Sequence, residues 1–288
     1  MLRSPQIRRP RNEMDPARRH HRRGGRDLGT FEPARRVTKA APKDEGSAVT
    51  RAFPQLQRAS CPEVQGKQLT VTATVESMRV THLCVVSELV PVPLGRVGVT
   101  AINKKPVDGP IKIVTMGLWG DVQADRANHG GIEKAVYAVT AGEMAWWERE
   151  LGVELPPGIF GENLRVDEDV DDFVLGARYR LGTAELEVTG CRNPCKTFEY
   201  CRGEQGWVKR FLDHGYSGAY FRVRKAGEAQ AGDELVELHV PHHGVTVKDL
   251  FTDRASHYDT LAEAHRSGDV TLADYVINYL PENLRNTL

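Results

Sequence analysis

From residue 78 onward the chain is written as short apolar runs cut by Gly, Pro and Asn roughly every eight to twelve residues, which is the texture of a sheet-built fold. The runs fall at 81–90, 98–102, 111–115, 134–139, 164–166, 177–181, 184–189, 221–223 and 235–238, a spacing that predicts a β-barrel or sandwich. Two helices interrupt them. Over 141–151, Met144, Trp147 and Leu151 recur at helical spacing, and 207–214 reads as a second helix. After Pro241 the pattern changes. Val245, Val247, Leu250 and Phe251, then Tyr258, Leu261, Ala262 and Ala264, then Leu272, Tyr275, Val276 and Tyr279 predict three short amphipathic helices. The expected organisation is therefore a β-rich domain over 78–240 and a small helical extension over 241–288, with no internal repeat to suggest a solenoid or propeller.

Residues 1–77 have neither period. They are rich in Arg, Pro and Gly, carry twelve Arg or Lys against four acids in their first forty positions, and are expected to be disordered. A basic arm for nucleic acid or acidic lipid is one reading; the plainer one, which is preferred, is a translated upstream stretch with the working domain beginning near Met78. Over the whole chain, 39 basic residues balance 39 acidic ones, which argues against a surface built to grip nucleic acid. No run reaches the roughly 18 apolar residues of a membrane span, so a cytoplasmic protein is expected. Five cysteines, Cys61, Cys84, Cys191, Cys195 and Cys201, are an odd number in a chain that needs no staples, and reduced thiols follow.

The familiar nucleotide-binding, zincin and hydrolase signatures are missing, and Cys191-x3-Cys195-x5-Cys201 does not match a paired zinc ribbon. Three loop clusters remain. In Asp125-Arg126-Ala127-Asn128-His129-Gly130-Gly131, the glycines would let a ligand approach the backbone and leave amides free for an anion, with Lys134 and Tyr137 following; the alternative is a tight turn. In Phe160-Gly161-Glu162-Asn163-Leu164, the Asn163 amide offers a donor and an acceptor for a heterocyclic edge, or else caps a turn. In Gly190-Cys191-Arg192-Asn193-Pro194-Cys195-Lys196-Thr197, Arg192 and Lys196 flank Cys195 with positive charge that favours the thiolate, the form that attacks electrophiles and binds soft metals. Cys61, Cys84 and Cys201 are read as small buried hydrophobes.

Taken in order, Gly120-Asp121-x3-Asp125-x3-His129-Gly130-Gly131, Lys134-Ala135-Val136-Tyr137, Phe160-Gly161-Glu162-Asn163-Leu164 and Arg192-x-Pro194-Cys195 resemble the MOSC domain, in its bacterial YiiM-like branch, over roughly residues 80–238. The helical tail is similar to the three-helix extension of that branch, though shorter. The resemblance implies a β-barrel of the pyruvate-kinase insert type and a pocket for the molybdenum cofactor, molybdopterin. It implies an oxidoreductase, independent of pyridoxal phosphate, that reduces N-hydroxylated small molecules or bases with electrons from a separate donor protein. Cys195 would be the catalytic residue and molybdenum ligand; His129, Gly130, Gly131, Lys134, Asn163, Arg192 and Asn193 would lie at the cofactor. Cys191 departs from the pattern. As a second thiol it would suit a sulfur carrier with a persulfide on Cys195, and a non-catalytic cofactor-binding module is the remaining alternative. The chemistry agrees with the implied cofactor, because a phosphate, a pterin edge and a dithiolene-held metal ask for cations, a hydrogen-bonding fork and one soft ligand.

Overall fold

The computed structural model describes residues 78–288, and the basic segment expected over 1–77 lies outside them. The apolar runs become thirteen strands. They are β1 (Val80–Val86), β2 (Val90–Pro91), β3 (Val99–Thr100), β4 (Lys104–Pro106), β5 (Ile111–Val114), β6 (Gly117–Leu118), β7 (Val136–Thr140), β8 (Leu164–Val166), β9 (Arg178–Leu181), β10 (Ala184–Cys191), β11 (Ala219–Lys225), β12 (Gly227–Ala229) and β13 (Leu235–His239). Eight of them form one sheet in the order β13-β9-β10-β11-β7-β8-β1-β4, all antiparallel except β7 with β8. That exception follows from the helix Ala141–Leu151 between them, the crossover that a parallel pair requires.

The sheet order is open, so the expected barrel closure is not among the strand pairings. The nearest approach to closure is a seam where Arg79 bridges Glu234, with Val80 N–H donating to the Asp233 carbonyl at 3.0 Å and Leu235 N–H to the Met78 carbonyl at 2.8 Å. Two smaller pairings flank the sheet: β12-β5-β6 and the hairpin β2-β3.

Eight α-helices punctuate the strands: α1 (Arg126–His129), α2 (Ala141–Leu151), α3 (Lys196–Arg202), α4 (Trp207–His214), α5 (Val247–Thr252), α6 (Tyr258–Ser267), α7 (Asp274–Ile277) and α8 (Glu282–Arg285). The two helices predicted within the β region stand where the periodicity put them. Helix α3 was not predicted; the segment carrying Cys195 reads as a loop because Pro194 precedes a helix of only two turns. Trp147 of α2, Phe198 of α3 and Trp207 and Phe211 of α4 pack around Phe160 of the segment before β8, with ring centroids 4.8–6.3 Å apart. This aromatic core forms the floor behind Arg192.

The C-terminal extension is more than an appendage. Thr246 opens it with a capping box to Asp249, and Val247, Leu250, Leu261 and Val276 are fully buried in the same apolar core as β9, β10 and β11. Four helices stand where three were predicted, α8 being the addition. Among the described residues, no helix is long and apolar enough to cross a membrane.

Candidate active site

A cleft opens where the β2-β3 hairpin, the 121–134 loop, β7, the segment before β8 and the segment after β10 converge. His129, Lys134, Asn163, Arg192 and Cys195 all line it. Sequence order alone places these residues up to 66 positions apart, from His129 to Cys195, and the sheet brings them to one hollow.

Arg192 is the electrostatic centre. It is only 5% exposed, with its guanidinium between the rings of Tyr137 at 4.8 Å and Phe198 at 4.6 Å, and it donates to the Phe160 carbonyl. Among the described residues, no carboxylate lies within ion-pair distance of Arg192 or of Lys134. Lys134 donates to the Asn128 carbonyl at 2.7 Å, and burial pulls its ammonium below the usual lysine range. Two cations that share a cleft without counter-ions make it a site for an anion.

Between them, His129 is forced neutral. Burial, followed by the charges of Arg192 and Lys134, lowers its pKa to about 4, so at neutral pH the imidazole presents one donor and one acceptor. Because the folded value is depressed, its contribution to stability is complete above about 6.5 and is lost as pH falls toward 4. His129→Gln is expected to flatten the stability profile across that window. Phosphate is expected to raise the imidazole's midpoint in an NMR titration by masking the neighbouring cations; a midpoint near 6.5 in the free protein would refute the assigned burial.

Cys195 is partly exposed at the cleft wall and caps α3, its Sγ accepting from the Phe198 N–H at 3.4 Å. It is the only cysteine among the cleft's lining residues. Lys196 does not flank it as expected: its ammonium points outward to Glu199 at 2.6 Å, and its side chain is 73% exposed. Cys191 is fully buried in β10 and away from the lining, and burial pushes its thiol up to about 12. Cys84 is also fully buried, as expected, whereas Cys201 is partly exposed; Cys61 lies outside the described residues.

Several candidates have other work. Asn163 lines the cleft, but its amide is spent on protein: Oδ1 accepts from Tyr137 N–H at 3.2 Å, while Nδ2 donates to the Cys84 carbonyl at 3.1 Å and to Asp121 at 2.8 Å. The fork expected to read a heterocycle instead ties β7 to β1. Gly130 and Gly131 are outside the lining, and the expected free amide at Gly131 is taken by Gln123 Oε1 at 2.7 Å. A Cβ at Gly130 would stand 2.7 Å from that same oxygen, so this glycine is explained by packing against Gln123 rather than by ligand approach. Asn193 also turns away, donating to the Tyr279 hydroxyl at 2.6 Å.

The sequence reading missed Gln123, which pins the loop, Tyr220 on β11 and the cleft-lining turn of the β2-β3 hairpin with Arg96 at its tip, although the runs at 81–90 and 98–102 overlap its strands. Gly95 and Gly98, both at positive φ, were the available signal for that hairpin.

The MOSC domain pattern matches residues 125–236. The uncharacterized protein YflK of Bacillus subtilis is 34% identical over 161 residues, covering 56% of this chain and 72% of the relative. Protein YiiM of Escherichia coli is 30% identical over 154 residues, covering 52% of this chain and 68% of the relative. A protein named reductase from Gibberella moniliformis is 30% identical over 199 residues, but this chain covers only 34% of it. Among solved structures, YiiM from Geobacillus stearothermophilus shares the fold at a TM-score of 0.56 and 22% identity, over 70% of this chain and 96% of that one. Sequence identity across more than two thirds of two relatives, a matching domain pattern and a shared fold together place this chain in the MOSC domain family, in its YiiM-like branch.

Proposed function

We propose that the chain is a cytoplasmic molybdenum-cofactor oxidoreductase that reduces an N-hydroxylated small molecule, using electrons from a separate donor protein. One observation carries this reading: two cations without carboxylate partners, Arg192 and Lys134, share a cleft with a single partly exposed thiol, Cys195. The donor set fits the cofactor. Arg192 and Lys134 would hold its phosphate by charge-assisted hydrogen bonds, and Cys195 would supply one soft ligand to a metal that arrives with its own sulfur donors. When bound, the cofactor would supply the two-electron chemistry. The chain's own residues bind and orient. Arg192 is fixed between two rings, and neutral His129 stands in the cleft with a ring nitrogen able to donate a hydrogen bond. We read the Arg79–Glu234 seam as the closure of the barrel that carries this cleft.

The sulfur-carrier alternative rests on Cys195 itself and keeps that thiol; the burial of Cys191 takes away only the second thiol that would have suited it. Protein expressed in a host that makes the cofactor is expected to carry near-stoichiometric molybdenum, and Cys195→Ser to lose at least nine-tenths of it or of the reductase activity. Full metal and activity in that variant would remove the ligand assignment. A labile added sulfur on Cys195 by mass spectrometry, with no molybdenum, would favour the carrier.

A further inference from the structure

The C-terminal extension touches one of the cleft's lining residues, Lys134, through the ring of Tyr275. Helix α7 is docked against the 132–134 turn and the end of β10 at three points. The Asp274 N–H donates to Glu133 at 2.9 Å, the Tyr275 hydroxyl meets Thr189 Oγ1 at 3.4 Å, and the Tyr275 ring lies under the Lys134 ammonium at 4.1 Å from Nζ to the ring centroid. Thr189 in turn donates to the Glu133 carbonyl at 2.6 Å, so strand, turn and helix are tied at one knot. The path of Tyr275 also accounts for a glycine. At Gly190, φ is +154° and a Cβ would stand 2.6 Å from the Tyr275 oxygen, so a larger residue would drive this ring away.

An ammonium has three N–H donors and a long flexible stem, and it stays at one place only when something holds it. Here the Asn128 carbonyl takes one N–H, and the Tyr275 face lies within the distance at which a ring quadrupole attracts a cation. The Tyr220 ring is farther, at 5.7 Å. We propose that Tyr275 is a positioning residue that holds the Lys134 ammonium at the cleft, so that the helical extension completes the anion site. This rests on the reading of the cleft as a phosphate site. The ring acts through Lys134, and its hydroxyl is secondary.

The test uses the full chain without cofactor, inorganic phosphate as the probe, and 13C-labelled lysine. An ε-methylene above an aromatic face is shifted upfield, and Lys134→Met identifies its resonance by removing it. Tyr275→Phe keeps the face and is expected to keep both the upfield shift and the phosphate affinity within about twofold. Tyr275→Leu is expected to lose the shift and weaken phosphate binding roughly fivefold, the order of one partly desolvated cation–π contact. Tyr275→Met serves as a second aliphatic variant should the leucine variant fail to fold. Phosphate affinity lost in Lys134→Met but kept in both aliphatic variants overturns the positioning role alone, as does a phenylalanine variant as weak as the leucine one. Phosphate affinity unchanged in Lys134→Met overturns the phosphate reading on which the role rests.

Discussion

Glu162→Ala is expected to be among the most destabilising single substitutions in the chain, at about 3–5 kcal/mol, the usual cost of breaking a buried ion pair by removing one partner. Glu162 is fully buried and accepts from the Gly158 N–H at 2.7 Å, the Phe160 N–H at 2.9 Å and Arg165 at 2.7 Å. Its loss would leave two buried amides and a guanidinium that is only 9% exposed without their acceptor. The Leu155 and Pro156 carbonyls, to which Arg165 also donates, do not neutralise that charge. For a domain of this size the midpoint of thermal unfolding should fall by roughly 10 °C. Adding Arg165→Leu should recover part of the loss, because the stranded charge disappears with it, and a double-mutant cycle measures the coupling. A loss under about 1 kcal/mol for Glu162→Ala would show that the pair contributes little. The effect should reach the cleft as well, since the loop that Glu162 organises carries the Phe160 carbonyl to which Arg192 donates.

That chain of contacts shows what was legible in the sequence and what was not. The Phe160-Gly161-Glu162-Asn163 cluster stands out as a motif, and its neighbourhood to Arg192 and Cys195 follows from a resemblance. Its work does not follow. A side-chain amide and a carboxylate look like ligand-binding groups in one dimension, and only the fold shows that Asn163 and Glu162 are consumed in building the walls. The same holds for Gly130 and Gly131, whose partner Gln123 lies seven and eight positions back with nothing local to announce it. Strand positions were readable because apolar runs bounded by Gly, Pro and Asn are local signals, and β7 and β8 are buried at every position rather than at alternate ones, while the seam at Arg79–Glu234 and the contact of Tyr275 with Lys134 depend on residues far apart in sequence. Arg192 and Lys134 were readable as cations; what was not readable is that, among the described residues, neither has a carboxylate within ion-pair distance although Asp125 lines the same cleft. That is a property of the packed molecule.

Arg192 itself gives the second large effect, which should fall on binding and not on stability. In the cofactor-free protein, Arg192→Met is expected to leave stability within about 1 kcal/mol of the parent, because removing a buried charge that lacks a counter-ion offsets the loss of the Phe160 contact. A thioether fits between the rings of Tyr137 and Phe198 where the guanidinium stacked. Binding should behave otherwise. Phosphate affinity and cofactor retention are expected to fall about a hundredfold, or roughly 3 kcal/mol, since a charge-assisted contact in a desolvated cleft is lost. Arg192→Lys should not restore it, because an ammonium cannot lie flat between two rings and donate to the Phe160 carbonyl with its remaining donors held in a plane. Titration calorimetry with phosphate, metal analysis of purified protein and thermal unfolding separate the outcomes. A methionine variant that binds normally but unfolds several kcal/mol more easily would make Arg192 a structural strut of the aromatic core. A variant that folds as well as the parent and binds nothing would make it the residue for which the cleft is built.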